Sequence, residues 1–189
     1  MKTMFAAAAA MALMLAPMAA HAQDNDILKH LINSPNVGSW STYGSQTSKK
    51  IADANVQGGQ AFEVTVTAAG PTPYTTAAQQ DVTGPIKKGD KLIVAVWLKA
   101  TTTDAGGPKI HLRMQTNSAP YSAIAEGDAP VTGVWKMCTI QAIADADHPK
   151  GTASLAVHLG GVVQTVDLGP AFVLDMGPPA ATASSSSSQ

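Results

Sequence analysis

Behind a Gly89-Asp90 turn the chain runs KLIVAVWLKAT over residues 91–101, where β-branched and aromatic side chains follow one another with no helix period. A run this apolar on both parities suits a strand in the middle of a sheet, covered on each face. Similar short runs recur at 61–68, 75–82, 109–116, 134–142, 153–159 and 169–175, with a shorter one around Trp40. Between them stand Gly58-Gly59, Gly70-Pro71, Gly84-Pro85, Gly106-Gly107-Pro108, Gly127-Asp128, His148-Pro149 and Gly160-Gly161, residues that supply turn backbone rather than ladder. Eight strands punctuated in this way predict an all-β fold, a jelly-roll β-sandwich of two antiparallel sheets. Only residues 26–33 break the pattern: Ile27, Leu28, Leu31 and Ile32 fall at helical spacing and predict a turn or two of helix before Ser34-Pro35-Asn36.

The two ends read differently from the middle. Lys2 is followed by an apolar run from Met4 to Ala20 and by Ala20-His21-Ala22, the small-x-small pattern at which signal peptidase cuts. Residues 1–22 are therefore expected to be a secretory signal peptide cleaved after Ala22. The run carries Pro17 and ends short of the ~20 residues a spanning helix needs, so the processed protein is expected in the periplasm or outside the cell, free of the membrane. Residues 23–177 have the length of one domain with its own core. Residues 178–189, with serine throughout 184–188, bury no apolar area and are expected to be disordered.

Composition excludes several functions. The chain has 12 Lys plus Arg against 13 Asp plus Glu, with no basic run longer than Lys49-Lys50 and Lys87-Lys88, so nucleic acid is not an expected partner. Its single cysteine, Cys138, forms no internal disulfide and reads as a small buried hydrophobe. Glycoside hydrolysis needs two carboxylates flanking the scissile bond. Glu63 and Glu126 are the only glutamates, the aspartates sit mostly in turns, and there is no Gly-x-Ser-x-Gly elbow, so no catalytic residue is nominated and no enzyme expected. Asp145-Ala146-Asp147-His148 reads as a solvated hairpin connection.

Strand alternation sorts side chains by face. In 109–116, Ile110, Leu112 and Met114 share the core face, leaving His111, Arg113 and Gln115 as an outward row of hydrogen-bonding groups. In 153–159, Leu155, Val157 and Leu159 turn inward and His158 joins the polar face with Ser154 and Ala156. Arg113 brings a planar fork suited to paired hydroxyls. Trp97 lies opposite Leu92, Val94, Val96 and Leu98; it either floors a groove or is buried under loops, while Trp135 reads as packing. Tyr74 and Tyr121 sit in loops as flat platforms. Gln79 and Gln80 point to opposite faces, so one of them meets a ligand; Gln80 is the nominee, and alternation alone leaves the choice open.

The order of these segments resembles the carbohydrate-binding modules of families 4 and 9. It is carried by Leu31-Ile32-Asn33 with Trp40, Gly58-Gly59-Gln60-Ala61-Phe62, Gly89-Asp90 with Trp97-Leu98-Lys99-Ala100, Gly133-Val134-Trp135 and Leu174-Asp175, over residues 31–177. The resemblance implies a galactose-binding-like jelly roll that binds a polysaccharide or oligosaccharide without catalysis, of a kind usually joined to glycoside hydrolases. It places Tyr74 where relatives often carry a ligand-stacking aromatic. It also implies a structural calcium ion, to which Asp175 would give one oxygen, although the Phe-Glu common after the N-terminal Asn is replaced here by Ser34-Pro35-Asn36-Val37. The expected ligand-binding set is thus Tyr74, Gln80, Trp97, His111, Arg113, Gln115 and His158. The alternative is an exported structural or adhesive sandwich that meets a protein partner, in keeping with the scarcity of aromatics. The identity of the glycan and the oligomeric state stay open.

Overall fold

The structure, a computed structural model, describes residues 26–179. The expected leader and the serine-rich tail from residue 180 on lie outside the described residues. Ten strands run in chain order: β1 (Ser41–Tyr43), β2 (Gln46–Ala52), β3 (Gln60–Val66), β4 (Ala77–Val82), β5 (Lys91–Thr102), β6 (His111–Thr116), β7 (Ala123–Asp128), β8 (Lys136–Ile143), β9 (Ala153–His158) and β10 (Gln164–Asp175). They form two five-stranded antiparallel sheets, ordered β1-β4-β9-β6-β7 and β2-β3-β10-β5-β8. No helix among the described residues is long and apolar enough to cross a membrane.

The inner faces interdigitate as alternation requires. Leu112, Met114, Leu155 and Val157 from one sheet meet Val64, Leu92, Val94, Val96, Leu98 and Val166 from the other, all fully buried. Each such side chain contributes about 1.5–3 kcal/mol relative to exposure. With no disulfide available, this apolar layer carries the fold. β5 lies between β10 and β8, the central setting that its apolar sequence predicts.

Two strands escape the sequence reading. β2, QTSKKIA, is a sheet edge whose side chains are mostly exposed, so it has no apolar parity to betray it. β7, AIAEGD, ends in Gly127-Asp128, which by composition reads as a turn but here pairs with Leu112 and His111. β10 also begins at Gln164, earlier than the apolar run suggests, because its first half is read only through its pairing with β3 and β5. The helix expected over 26–33 shrinks to a 3₁₀ turn at Leu28–His30, after which Leu31 bridges Leu174 and Asn33 bridges Val82. The chain passes between sheets just after β1, at Gly44. Its φ of +90° and the closeness of the Thr75 carbonyl leave no room for a Cβ.

The two layers are also tied by a buried polar network. Asn33, 7% exposed, donates from Nδ2 to Gln80 Oε1 on β4 at 3.0 Å and to the Ala171 carbonyl on β10 at 2.9 Å. Its Oδ1 accepts from the Val173 N–H at 2.8 Å. Replacing it by an apolar residue of similar size strands three buried polar groups, each costly to leave unpaired. Asn33→Leu should therefore lower unfolding stability by about 3 kcal/mol in urea titrations, with a slope unchanged. A loss under about 1 kcal/mol would show that the network is dispensable.

Candidate functional site

The outer face of β1-β4-β9-β6-β7 carries a groove of about 810 Å³. Its floor follows from three rungs of the sheet. Asp81, Ser154 and Gln115 form one; Gln79, Ala156, Arg113 and Glu126 the next; Ala77, His158, His111 and Asp128 the third. Alanine and serine at the centre keep the floor low, while longer side chains on β6 and the flanking segments rise as walls. All three tyrosines of the chain line this depression: Tyr43 at the end of β1, Tyr74 in the 3₁₀ turn Pro73–Thr75, and Tyr121 in the loop between β6 and β7. They are 39%, 59% and 52% exposed, open enough for a flat ligand to stack on them. Burial, with Tyr121 as a neighbour, raises the Tyr43 hydroxyl above its ordinary titration range.

His158 and Ser154 are the floor's buried polar groups, each 5% exposed. His158 lines the groove with no hydrogen-bond partner for its ring among the described residues. Its ring stacks on that of His111, with centroids 5.9 Å apart, and meets the Tyr74 ring edge at 6.1 Å. Burial, reinforced by His111 and Arg113, pushes its pKa down to about 4, so near neutral pH it is an uncharged imidazole with one donor and one acceptor.

The wall beyond it is a charged ladder. Arg113 donates to Glu126 Oε2 at 2.6 Å and to the Tyr121 carbonyl at 3.1 Å, holding the platform loop in place. Of its five N–H groups, those not engaged by these two acceptors remain for a ligand. His111 sits against Asp128 at 2.8 Å and Glu126 at 3.4 Å, and backs His158 from the neighbouring strand.

Of the expected ligand-binding residues, the structure brings Tyr74, Arg113, Gln115 and His158 together in the groove, with His111 directly behind. Two lie elsewhere. Gln80 is 2% exposed and faces the core, bonded to Asn33 and to the Asn36 carbonyl; its neighbour Gln79 lines the groove instead. The physical reason is parity, since Ala78 and Val82 of the same strand pack inward. Trp97 does face away from the core, but on the other sheet. There it donates to Gln57 Oε1 at 3.3 Å and packs beside Gly169 and Val56 under the β2–β3 loop. Residues absent from the expected set are Tyr43, Gln79, Asp81, Asn117, Ser154 and the platform Tyr121.

That opposite face is closed by a clamp. Lys99 Nζ lies 2.8 Å from Asp53 and 2.9 Å from Asp167, and 5.0 Å over the Trp135 ring, whose Nε1 donates to Asp53 at 2.9 Å. Lys99 first, then the Asn55 N–H and Trp135, hold the Asp53 carboxyl far below the usual carboxylate range. Trp97 and Trp135 thus brace a loop. The two glutamates stand on different outer faces, Glu63 paired with Lys49 on this one and Glu126 at the groove, too far apart in the fold to flank one bond.

Asp175 is at the end of β10, accepting from the Gly177 N–H at 2.9 Å. Burial, with the Asp90 carboxyl beside it, raises its pKa. Calcium asks for six to eight oxygens. Asp90 and Asp175 are the carboxylates that meet here, and among the described residues no group of three or more His, Cys, Asp or Glu side chains gathers around a metal position.

A family model described as a carbohydrate binding domain, covering types 4 and 9, matches residues 24–164. No curated protein matches the chain significantly. Among solved structures, a CBM4 module superposes with a TM-score of 0.58 at 20% identity, over 73% of this chain and 95% of that one. The CBM22-1 xylan-binding domain of Paenibacillus barcinonensis Xyn10C gives 0.53 at 12% identity, over 78% and 92%. A cyclase from Fischerella sp. TAU gives 0.55 at 13% identity, over 78% and 88%, so the architecture alone does not decide between binding and catalysis. The family match covers most of the chain where the structural ones speak only for its shape: this protein belongs to the carbohydrate-binding domain family of types 4 and 9.

Proposed function

We propose that this protein binds a polysaccharide or oligosaccharide in the groove across β1-β4-β9-β6-β7, without chemical conversion, as an exported module after removal of residues 1–22. The observation that carries the reading is the convergence of all three tyrosines on one outer face with the buried His158, whose ring has no hydrogen-bond partner among the described residues. Pyranose rings present C–H groups to aromatic faces, which Tyr43, Tyr74 and Tyr121 supply, and hydroxyls to hydrogen-bonding groups. Gln79, Arg113, Gln115, Asn117 and Ser154 supply those, and His158 offers both a donor and an acceptor to hydroxyls at the floor. A fold relative described as a xylan-binding domain is consistent with an extended chain as ligand. A second reading, contact with a protein partner, draws on Val134, Met137 and Ile143, exposed apolar residues in or just before the edge strand β8. The two readings use different surfaces.

Affinity gels with immobilised plant and bacterial polysaccharides separate them. Tyr74→Ala should weaken retention about tenfold with little change in melting temperature, because the ring is exposed and its loss costs stacking rather than core. Trp97→Ala should do the reverse, lowering stability through the β2–β3 clamp and leaving retention intact. Retention insensitive to Tyr74→Ala, or none on any polysaccharide by a folded sample, removes the proposal.

The floor histidine also sets a pH dependence. Unfolded, its imidazole protonates near 6.5; folded, only near 4. The unfolded chain therefore binds the extra proton in between, so this residue's contribution to stability is full above about pH 6.5 and falls as pH drops toward 4. The expected loss is on the order of 2–3 kcal/mol across that window. Thermal melts from pH 7 to pH 4 should show it, and His158→Gln should flatten the decline; an equal decline in the variant would place its origin elsewhere.

A further inference from the structure

The charges around the groove are unequal in a way that bears on which glycan it admits. Asp81 is exposed on β4, lines the groove, and has no ionic or hydrogen-bonding partner among the described residues. Glu126 and Asp128 stand along β7 on the far wall. Within the lining itself Asp81 is the one carboxylate and Arg113 the one guanidinium, with no lysine; Arg113 is already paired with Glu126 and the Tyr121 carbonyl, and Asp128 with His111, which leaves Asp81 as the unpaired charge. His158 adds no positive charge near neutral pH, its titration being held down to about 4. Asp81 also shares a rung with Ser154 and Gln115, two groove-lining groups suited to hydroxyls, so a sugar seated on that rung meets the free carboxylate.

We propose that the groove sorts glycans by charge and that Asp81 is the residue that sets the preference: chains bearing protonated amines bind best, neutral chains bind, and chains bearing carboxylates or sulfates are turned away. This rests on the glycan-binding reading above. A carboxylate brought beside Asp81 meets like charge with no free cation to offset it, whereas an ammonium meets an unengaged counter-charge. Both groups stay in contact with water, so the discrimination is moderate, about three- to tenfold at low ionic strength, and salt screens it.

The test uses backbone-matched probes and the export-processed chain. Retention is measured on hydroxyethyl-, carboxymethyl- and diethylaminoethyl-cellulose, and on neutral arabinoxylan against 4-O-methylglucuronoxylan, at about 20 mM and about 500 mM salt, where screening lengths differ several-fold. The expected order within each backbone is amine-bearing, then neutral, then acidic, with the spread collapsing at high salt. Asp81→Asn should narrow the spread and Asp81→Lys should reverse it, melting temperature serving as the check on folding. Equal retention of charged and neutral members by the unmodified chain, or an order unchanged in Asp81→Lys, overturns the charge proposal while leaving glycan binding in place. Failure to retain any member of either series, and any other polysaccharide, overturns the glycan reading itself and the charge proposal with it.

Discussion

The Asn33–Gln80 hydrogen bond decides which side of β4 faces outward, and the groove follows from that choice. A strand has a side-chain period of two, so a slip of one residue would send Gln79 and Asp81 into the core and Gln80 to the surface. Gln80 is affordable inside only because Asn33 meets its amide oxygen while also satisfying the Ala171 carbonyl and the Val173 N–H of the opposite sheet. With β4 so fixed, pairing carries the register outward. Ser41, Gln79, Ala156, Arg113 and Glu126 fall on one rung across five strands, and a buried contact in the core thereby places a ligand-facing row on the surface.

Parity was legible in the sequence where apolar residues marked it, and only there. On β6 and β9, Leu112, Met114, Leu155 and Val157 leave no doubt about the inward face, so Arg113, Gln115 and His158 could be read as outward before any fold was known. On β4 the consecutive Ala77 and Ala78 blur the phase, both being fully buried although they point to opposite sides, and the choice between Gln79 and Gln80 stayed open. Trp97 illustrates a different limit. Alternation says correctly that it opposes Leu98, but which sheet β5 enters depends on pairing with β10 and β8, contacts far away in sequence that no local pattern encodes. Tyr43 escaped for the same reason: β1 is three residues long and joins the groove only through its pairing with β4.

The two outer faces of the sandwich have opposite chemistry, and this explains why one can bind. On the β2-β3-β10-β5-β8 face Lys99 joins Asp53 and Asp167, Trp135 bonds Asp53 and Trp97 bonds Gln57, which holds the β2–β3 loop down with Val56 buried against Gly169. Polar capacity there is mostly consumed within the protein. On the β1-β4-β9-β6-β7 face the central positions are Ala77, Ala156 and Ser154, too small to reach one another's partners, and the tyrosines stand apart as walls. A sheet whose central side chains are small presents a trough rather than a ridge, and its flanking hydrogen-bonding groups are left pointing into it.

His158 shows what that openness costs the fold. A buried imidazole with no protein partner is less stable than one bonded to a neighbour, and burial beside His111 and Arg113 disfavours its charged form as well. Asn33, Gln80 and Gln164, comparably buried, are each bonded at more than one point, whereas Gln46 Oε1, Thr72 Oγ1, His148 Nε2 and Asp167 Oδ1 are buried without a partner among the described residues. His158 differs from those four in lining the groove, where a ligand hydroxyl would meet a ring nitrogen that no protein group engages. A hydroxyl bonded there would displace no protein partner, so a rigid sandwich with few aromatics would gain that bond without breaking one of its own.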